Sequence, residues 1–435
     1  MASSPWFSLA NSSAVDPNLS QTAVVVGGGL AGAAAAYRLA EMDWQVTLLE
    51  AESELSQQAS GNLAGAIHPL VTADWNLRSQ FYLAGLEATL RWLSPWFEQG
   101  KIKGAQNGVM QLAMSPVMVE RLQASLKTMP ADFAFWQTPQ QASARIGTET
   151  EYGGLFFPQG GWVQPRSVVE HCLNHVNIDT KCNEVVNDII EIQSDLGSKN
   201  DQAWQVNTSQ NRYCASVVVV ATGALDGVFN TRFKLPIRPV KGQVSHFVKD
   251  EITVPLKTTV THEGYSVSGD FGSDIGIVAI SGATFEAPNM TASLSKEAQR
   301  QNVNLASKAL PNWLQPNEPD RLLAKVGFRP TTPDHLPIIG QIPDWSWMES
   351  SYLQKKPSHA SRFYPDQRYQ SGLFVSNGHG ARGLMSVFLA ADCIAQSVSG
   401  VSPCLPEKLG HAVHPARFLI RQWRKGQGSV DPKNG

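Results

Sequence analysis

At 435 residues the chain is long enough for two domains, and 42% hydrophobic with 17% charged residues suits an ordinary globular protein. Thirty-five basic against 37 acidic residues exclude a globally cationic nucleic-acid binder, though not a local basic patch. No apolar run approaches the roughly 20 residues of a bilayer span, the N-terminus lacks the basic flank and apolar core of a signal peptide, and Cys172, Cys182, Cys214, Cys393 and Cys404 have no metal-like spacing; a reduced, cytoplasmic protein without a metal is expected.

Residues 1–20, rich in Ser, Asn, Asp and Pro, read as a tail or linker. Thr22–Val26 then reads as a short apolar strand, residues 30–41 as an alanine-rich helix and residues 44–49 as a second strand. Between strand and helix, Gly27, Gly29 and Gly32 form G-x-G-x-x-G. The first glycine permits a tight turn, the second lets backbone approach a pyrophosphate, and the third allows close helix–strand packing. The helix N-terminus adds free N–H donors. Glu50 follows the second strand, where a carboxylate accepts from ribose hydroxyls. A bound dinucleotide is expected; a Gly-rich turn that binds nothing is the bland alternative.

Beyond that unit, Ala59-Ser60-Gly61-Asn62-Leu63-Ala64-Gly65 supplies small residues where backbone could run beside a flat ring. Residues 81–97 read as an aromatic-rich helix. Residues 204–206 and Val217–Val220 read as strands separated by the polar turn 207–212, and residues 236–325 as alternating strands with turns, including 276–282. A Pro-rich loop follows Gly327-Phe328-Arg329, then an irregular polar stretch at 345–370, a strand at 373–376 and a helix at 383–398 that would pack back on the first unit. Asn377-Gly378-His379-Gly380-Ala381-Arg382-Gly383 forms a second glycine-rich loop entering that helix, whose N–H groups and Arg382 could face the electron-rich edge of a reduced flavin. Two such loops suit FAD better than a nicotinamide nucleotide. The expected fold is α/β plus α+β: a discontinuous Rossmann-like FAD domain (21–80, 160–235, 325–415) and an antiparallel-sheet substrate domain (81–159, 236–324). Residues 345–370 read as an insertion and 416–435 as a basic tail.

The N-terminal turn, the Ala59–Asn62 loop residues, Val220-Ala221-Thr222-Gly223, Gly327-Phe328-Arg329-Pro330 and the last glycine-rich loop together resemble the D-amino-acid oxidase/glycine oxidase superfamily. Phe157-Pro158-Gln159-Gly160-Gly161-Trp162, Gly242-Gln243-Val244-Ser245-His246 and Thr332-Pro333-Asp334-His335-Leu336-Pro337 narrow the resemblance to the FAD-dependent half of the bifunctional MnmC family, over nearly the whole chain. Pro5-Trp6-Phe7 resembles the segment that joins the two halves there. The methyltransferase half is not in this sequence, so the chain is either a stand-alone oxidoreductase or a fragment.

The resemblance implies oxidative removal of the carboxymethyl group from 5-carboxymethylaminomethyl(-2-thio)uridine at the tRNA wobble position, with release of glyoxylate. The anticodon stem-loop would be the substrate, and a methyltransferase would act next. It carries cofactor binding onto Gly27, Gly29, Leu30, Ala31, Gly32, Glu50, Ala59, Ser60, Gly61, Asn62, Val185, Ala221, Gly223, Gly378, His379, Gly380, Arg382, Gly383 and Leu384.

Arg329 is the expected carboxylate clamp, because a planar guanidinium holds a carboxylate through two parallel hydrogen bonds; a structural arginine paired with Asp334 is the alternative. Tyr265 is expected to line the pocket or the core, and Arg382 to serve flavin, substrate or structure. His68, His246, His335 and His379 suggest a general base, but oxidation of a neutral amine needs none. Lys241 stays unassigned between flavin and solvent. Lys355, Lys356, His359, Arg362 and Arg368, among Trp347, Tyr352, Phe363, Tyr364 and Tyr369, could hold phosphates and unpaired bases. So could Arg417, Arg421, Arg424 and Lys425. A solvated insertion and a basic tail are the plainer reading. An amine oxidase or dehydrogenase acting on free glycine, sarcosine or a D-amino acid is the alternative function, and a flavin- or RNA-binding protein without turnover the third.

Overall fold

The computed structural model describes residues 15, 19–192, 203–272, 274, 276–286, 291–315, 323–352, 365–401 and 404–425. Ala23–Val26 and the four valines of Val217–Val220 are buried on both faces, as the central strands of a covered parallel sheet must be. The strands run in the order Ile338–Pro343, Tyr369–Asn377, Val217–Val220, Thr22–Val26, Gln45–Leu49, Ile178–Lys181. All pairs are parallel except the first, which is antiparallel. The helix Leu30–Ala40 buries Ala33, Ala34, Ala35 and Ala36, whose small side chains let it lie close to the sheet. Helix Val387–Val398 covers the same face, so the late segment packs back on the first unit as expected.

The second layer is an eight-stranded sheet: Ala324–Thr331, Arg238–Val248, Ile277–Gly282, Tyr265–Ser268, Thr259–Thr261, Val109–Leu112, Gly154–Phe157, Phe135–Gln137. Its one parallel pair joins Thr259–Thr261 to Val109–Leu112; the rest are antiparallel. Gly65–Ile67, Gly161–Val163 and Gly104–Ala105 form a small antiparallel sheet of their own.

Several segments differ from the sequence expectation. Trp204–Thr208 pairs in a hairpin with Arg212–Ala215 and Val186–Glu191, in a sheet separate from Val217–Val220. Arg212–Ala215 grades from exposed Arg212 to buried Ala215, as suits an outer ribbon, whereas an all-valine strand requires cover on both sides. Residues Lys296–Ala309 form a helix where alternation suggested strands. Ser295 caps it by accepting from Ala298 N, and Ala298, Asn302, Ala306 and Ala309 make one buried stripe. The strand Ala324–Thr331, assigned by sequence to the nucleotide domain, is the edge of the eight-stranded sheet.

Helix Leu77–Glu98, assigned to the substrate domain from residue 81, packs Phe81, Tyr82, Leu86, Trp92 and Trp96 in one core with Leu30, Met385 and Phe388 of the nucleotide layer. That contact is close. A Cβ on Gly85 would lie 1.8 Å from the Met385 carbonyl oxygen. Alanine normally favours a helix interior over glycine by about 1 kcal/mol, but here Gly85→Ala is expected to destabilise by about 1–3 kcal/mol through backbone overpacking. Thermal unfolding checks this; a raised Tm would contradict it.

Candidate active site

The glycine-rich turn leaves the carboxyl end of Thr22–Val26. Gly27 has φ +112°, and a Cβ on it would meet the Ala221 carbonyl oxygen at 2.5 Å. A Cβ on Gly32 would fall 1.9 Å from the Gly27 carbonyl oxygen, so the helix can approach the turn only without a side chain there. Glu50 Oε2 accepts from Gly28 N at 2.6 Å and its Oε1 from Glu52 N at 2.9 Å. The acid expected to meet a ribose therefore also braces the turn. Leu30 N donates to Ser60 Oγ at 3.0 Å, so a side chain from the second small-residue loop satisfies one of the helix's free N–H groups. Ser60→Ala is expected to cost about 1 kcal/mol of stability, as lost caps do, read by thermal unfolding.

A cavity of about 770 Å³ opens at the carboxyl ends of the parallel strands and reaches the eight-stranded sheet, where open α/β sheets bind their ligands. Of the residues expected on a cofactor, Gly27, Gly29, Leu30, Ala31, Glu50, Ala59, Ser60, Asn62, Val185, Ala221, Gly223, His379, Gly380, Arg382, Gly383 and Leu384 line it. Gly32, Gly61 and Gly378 do not, and each instead permits a close approach behind the wall. A Cβ on Gly61 would meet the Ser56 carbonyl oxygen at 2.3 Å; Gly378, at φ +73°, sits against Thr332.

The sequence reading did not assign Ser56, Glu184, Thr222 or Asp226, which line the nucleotide end with Ser56 Oγ, Glu184 Oε2, Thr222 Oγ1 and Asp226 Oδ2 unpartnered. Buried polar atoms are normally satisfied. A glycine cradle, a helix N-terminus and these open groups together fit a polar nucleotide such as FAD. His68 Nε2, Gln111 Oε1, Thr261 Oγ1 and Arg382 Nε are likewise unpartnered at the sheet end. Only strand register could have found Gln111 and Thr261, which pair across Val109–Leu112 and Thr259–Thr261.

Arg329 rises from Ala324–Thr331 over Gly242, where a Cβ would come within 2.5 Å of its guanidinium. Its Nη1 donates to the Thr284 carbonyl at 3.1 Å, and the Phe285 ring lies 4.5 Å from Cζ. Among the described residues it has no ion-pair partner. The alternative pairing with Asp334 does not occur: Asp334 is held by Arg417 and Arg421. Burial lowers the Arg329 pKa, yet arginine stays cationic, so a desolvated positive charge faces the cavity. Tyr265 lines the same wall, but its hydroxyl donates to the Ala64 carbonyl at 2.9 Å, and burial raises its pKa to about 12.

Arg382 borders the cavity with its Cζ 5.8 Å from the Tyr82 ring centroid. The helix expected to begin at Gly383 begins at Val387, after a 3-10 turn over Gly380–Met385. Ser386, at φ −149° and ψ −25°, breaks the helical run between that turn and Val387, so the helix cannot start earlier. His379 pins this turn through Ser386 Oγ (2.8 Å) and Ser376 Oγ (3.1 Å), so it braces the loop. Lys241, left between flavin and solvent, does not face solvent: it is 2% exposed, pairs with Glu286 Oε2 at 3.5 Å and is not among the residues lining the cavity.

Burial drives seven histidines towards the neutral form, His171 and His411 among them. His68 and His414 fall to about 3, and His246, His262 and His379 to about 4. Neighbouring cations add to the effect at His68 (Arg382), His246 (Lys325) and His414 (His411, Arg417). The unfolded chain binds protons near pH 6.5 that the folded chain refuses until about pH 3–4, so stability is full above about pH 6.5 and is lost as pH falls from there towards 3–4. Tm is expected to hold above about pH 7 and fall progressively below 6.5; an unchanged Tm at pH 5 would contradict this.

The RNA-facing groups fare unevenly. Residues 353–364, with Lys355, Lys356, His359, Arg362, Phe363 and Tyr364, lie outside the described residues, as does the tail from 426. Trp345–Tyr352 is a helix whose Tyr352 is fully buried and donates to the Pro365 carbonyl at 2.7 Å. Tyr369 bonds His414 Nε2 at 2.9 Å, and Trp347 stacks with Arg368. These aromatics are packed inward or paired rather than open to bases. Arg417 and Arg421 do share a helical face, in Arg417–Arg424, but that face meets Asp334. Arg417 is 1% exposed. Burial works to raise the Asp334 pKa, but the two arginines outweigh it and hold the carboxyl at about 2. This acid–base cluster ties the helix down and leaves no free phosphate clamp at Arg417.

Among the described residues no helix is long and apolar enough to cross a membrane, and no His/Cys/Asp/Glu group could hold a metal ion. The chain is 55% identical over 425 residues to the tRNA 5-methylaminomethyl-2-thiouridine biosynthesis bifunctional protein MnmC of Hydrogenovibrio crunogenus, covering 97% of this chain and 62% of that protein. It is 30% identical over 432 residues to the protein of the same name from Pseudomonas fluorescens, with the same coverages. The chain thus spans about 62% of the length of these curated relatives. Among solved structures, glycine oxidase from Geobacillus kaustophilus superposes with TM-score 0.67 at 20% identity, covering 88% of this chain and 96% of that one. Iminodiacetate oxidase from Chelativorans sp. BNC1 gives 0.64 at 19% identity, over 88% and 97%. The expected glycine oxidase-like fold is therefore found. The model of the FAD dependent oxidoreductase family matches residues 22–397. The chain belongs to the FAD dependent oxidoreductase family, with FAD as its cofactor.

Proposed function

We propose that this chain removes the carboxymethyl group from 5-carboxymethylaminomethyl(-2-thio)uridine at the wobble position of tRNA. The secondary amine, water and FAD would give the 5-aminomethyl nucleoside, glyoxylate and reduced FAD. The observation that carries the reading is Arg329, a desolvated cation lining the cavity with no carboxylate partner among the described residues. The relatives' names supply the tRNA context.

The substrate arm is an N-substituted glycine, and each nearby side chain has a task in holding it. Arg329 grips the carboxylate through two parallel hydrogen bonds and so fixes the adjoining carbon. Tyr265 is a wall rather than an acid, since its proton is committed to Ala64. His68 is neutral at pH 7, so it adds no charge beside Arg382. Bound FAD supplies the two-electron oxidation of the carbon between nitrogen and carboxylate. With the amine arriving neutral, no protein base is required.

The product is a primary amine, which suits methylation by a methyltransferase domain or protein acting next. The substrate would be an anticodon stem-loop, and the reaction cytoplasmic. The test is incubation of the FAD-loaded protein with tRNA bearing the carboxymethylaminomethyl group, followed by nucleoside digestion. Aminomethyluridine and glyoxylate are expected. Absence of both, with the flavin bleached by free glycine or sarcosine, would replace this reading with a small-molecule amine oxidase.

A further inference from the structure

We infer that Phe285 is a stacking platform for the unpaired nucleobase carrying the substrate's amino-acid arm; this rests on the tRNA reading above. Phe285 is 64% exposed and lines the mouth of the cavity. A single exposed apolar side chain is ordinary; what sets this ring apart is its place on the cavity wall against Arg329. Nor is it loose. Thr284 N donates to the Gln243 carbonyl (3.2 Å), Gln243 N donates to Thr284 Oγ1 (3.0 Å), and Glu286 N donates to the Lys241 carbonyl (3.0 Å). The Lys241–Glu286 ion pair adds a further anchor. The backbone on both sides of the ring is therefore fixed to strand Arg238–Val248, and the ring is held out at the mouth.

Its position relative to Arg329 defines what would meet it. The guanidinium lies 4.5 Å from the ring centroid, and the carbonyl just before Phe285 accepts from Arg329. A ligand whose carboxylate sits on Arg329 therefore passes Phe285 on its way out. In the proposed substrate, three atoms separate that carboxylate carbon from the uracil ring. A base must leave its stack for the arm to reach the cavity, and its exposed face then needs a new partner. An aromatic ring supplies one without regard to hydrogen-bond pattern.

The competing role is a lid that merely keeps water from Arg329. Leucine would serve as such a lid but cannot stack, whereas tryptophan does both. Steady-state oxidation of the modified tRNA by the FAD-loaded Phe285→Leu and Phe285→Trp proteins separates the two. Leucine is expected to raise KM roughly 10- to 100-fold, the range of one base–aromatic stack, with kcat nearly kept, and tryptophan to restore the wild-type KM. Equal KM values for leucine and tryptophan, or a loss confined to kcat, overturn the inference. A wild-type protein that converts no tRNA instead sinks the proposed function itself.

Discussion

Arg329→Ala is expected to give a protein that still binds FAD but whose kcat/KM for the modified tRNA falls by roughly 10²- to 10³-fold. Truncating one partner of a desolvated, hydrogen-bonded charge pair costs about 2–5 kcal/mol, and here the other partner is the substrate carboxylate. Glyoxylate release measures activity, and the flavin spectrum measures cofactor content. The two should separate, because Arg329 contacts Thr284 and Phe285 and none of the glycine-rich turn. Arg329→Lys should recover only part of the loss, since an ammonium keeps the charge without the planar fork. Full activity of Arg329→Ala would remove the carboxylate clamp from the mechanism.

Gly32→Ala is expected to yield protein largely depleted of FAD. The added Cβ would stand 1.9 Å from a backbone oxygen of Gly27, and no rotamer change relieves it. The turn or the helix must move, at about 1–3 kcal/mol of strain, which corresponds to roughly 10- to 100-fold in cofactor affinity if the turn yields. Flavin content per protein and Tm should therefore both fall for Gly32→Ala. Wild-type retention of FAD by this variant would contradict the account.

The nucleotide layer was legible because its signals are local. Strand, glycine turn, helix and terminal acid follow one another from Thr22 to Glu50, and each residue's constraint comes from neighbours in the same unit. The distant glycine-rich loop was also readable, though its helix starts at Val387 rather than Gly383 because Ser386 leaves helical dihedrals. Basic residues misled where charge was read without its partner. Arg417 looked like a phosphate contact until Asp334, 83 positions earlier, was seen to hold it.

By itself, then, the sequence determined the FAD-type turn, the second glycine loop, Arg329 as a candidate clamp and the division between a parallel and an antiparallel layer. Only the tertiary structure decided that Arg329 is free of Asp334 and backed by Phe285. It also decided that Ser60 caps the first helix and that Gln111 and Thr261 share one wall. Those facts depend on strand register and on contacts between residues far apart in the chain. Periodicity and turn chemistry report only on near neighbours, so they cannot say which distant group a buried charge will meet.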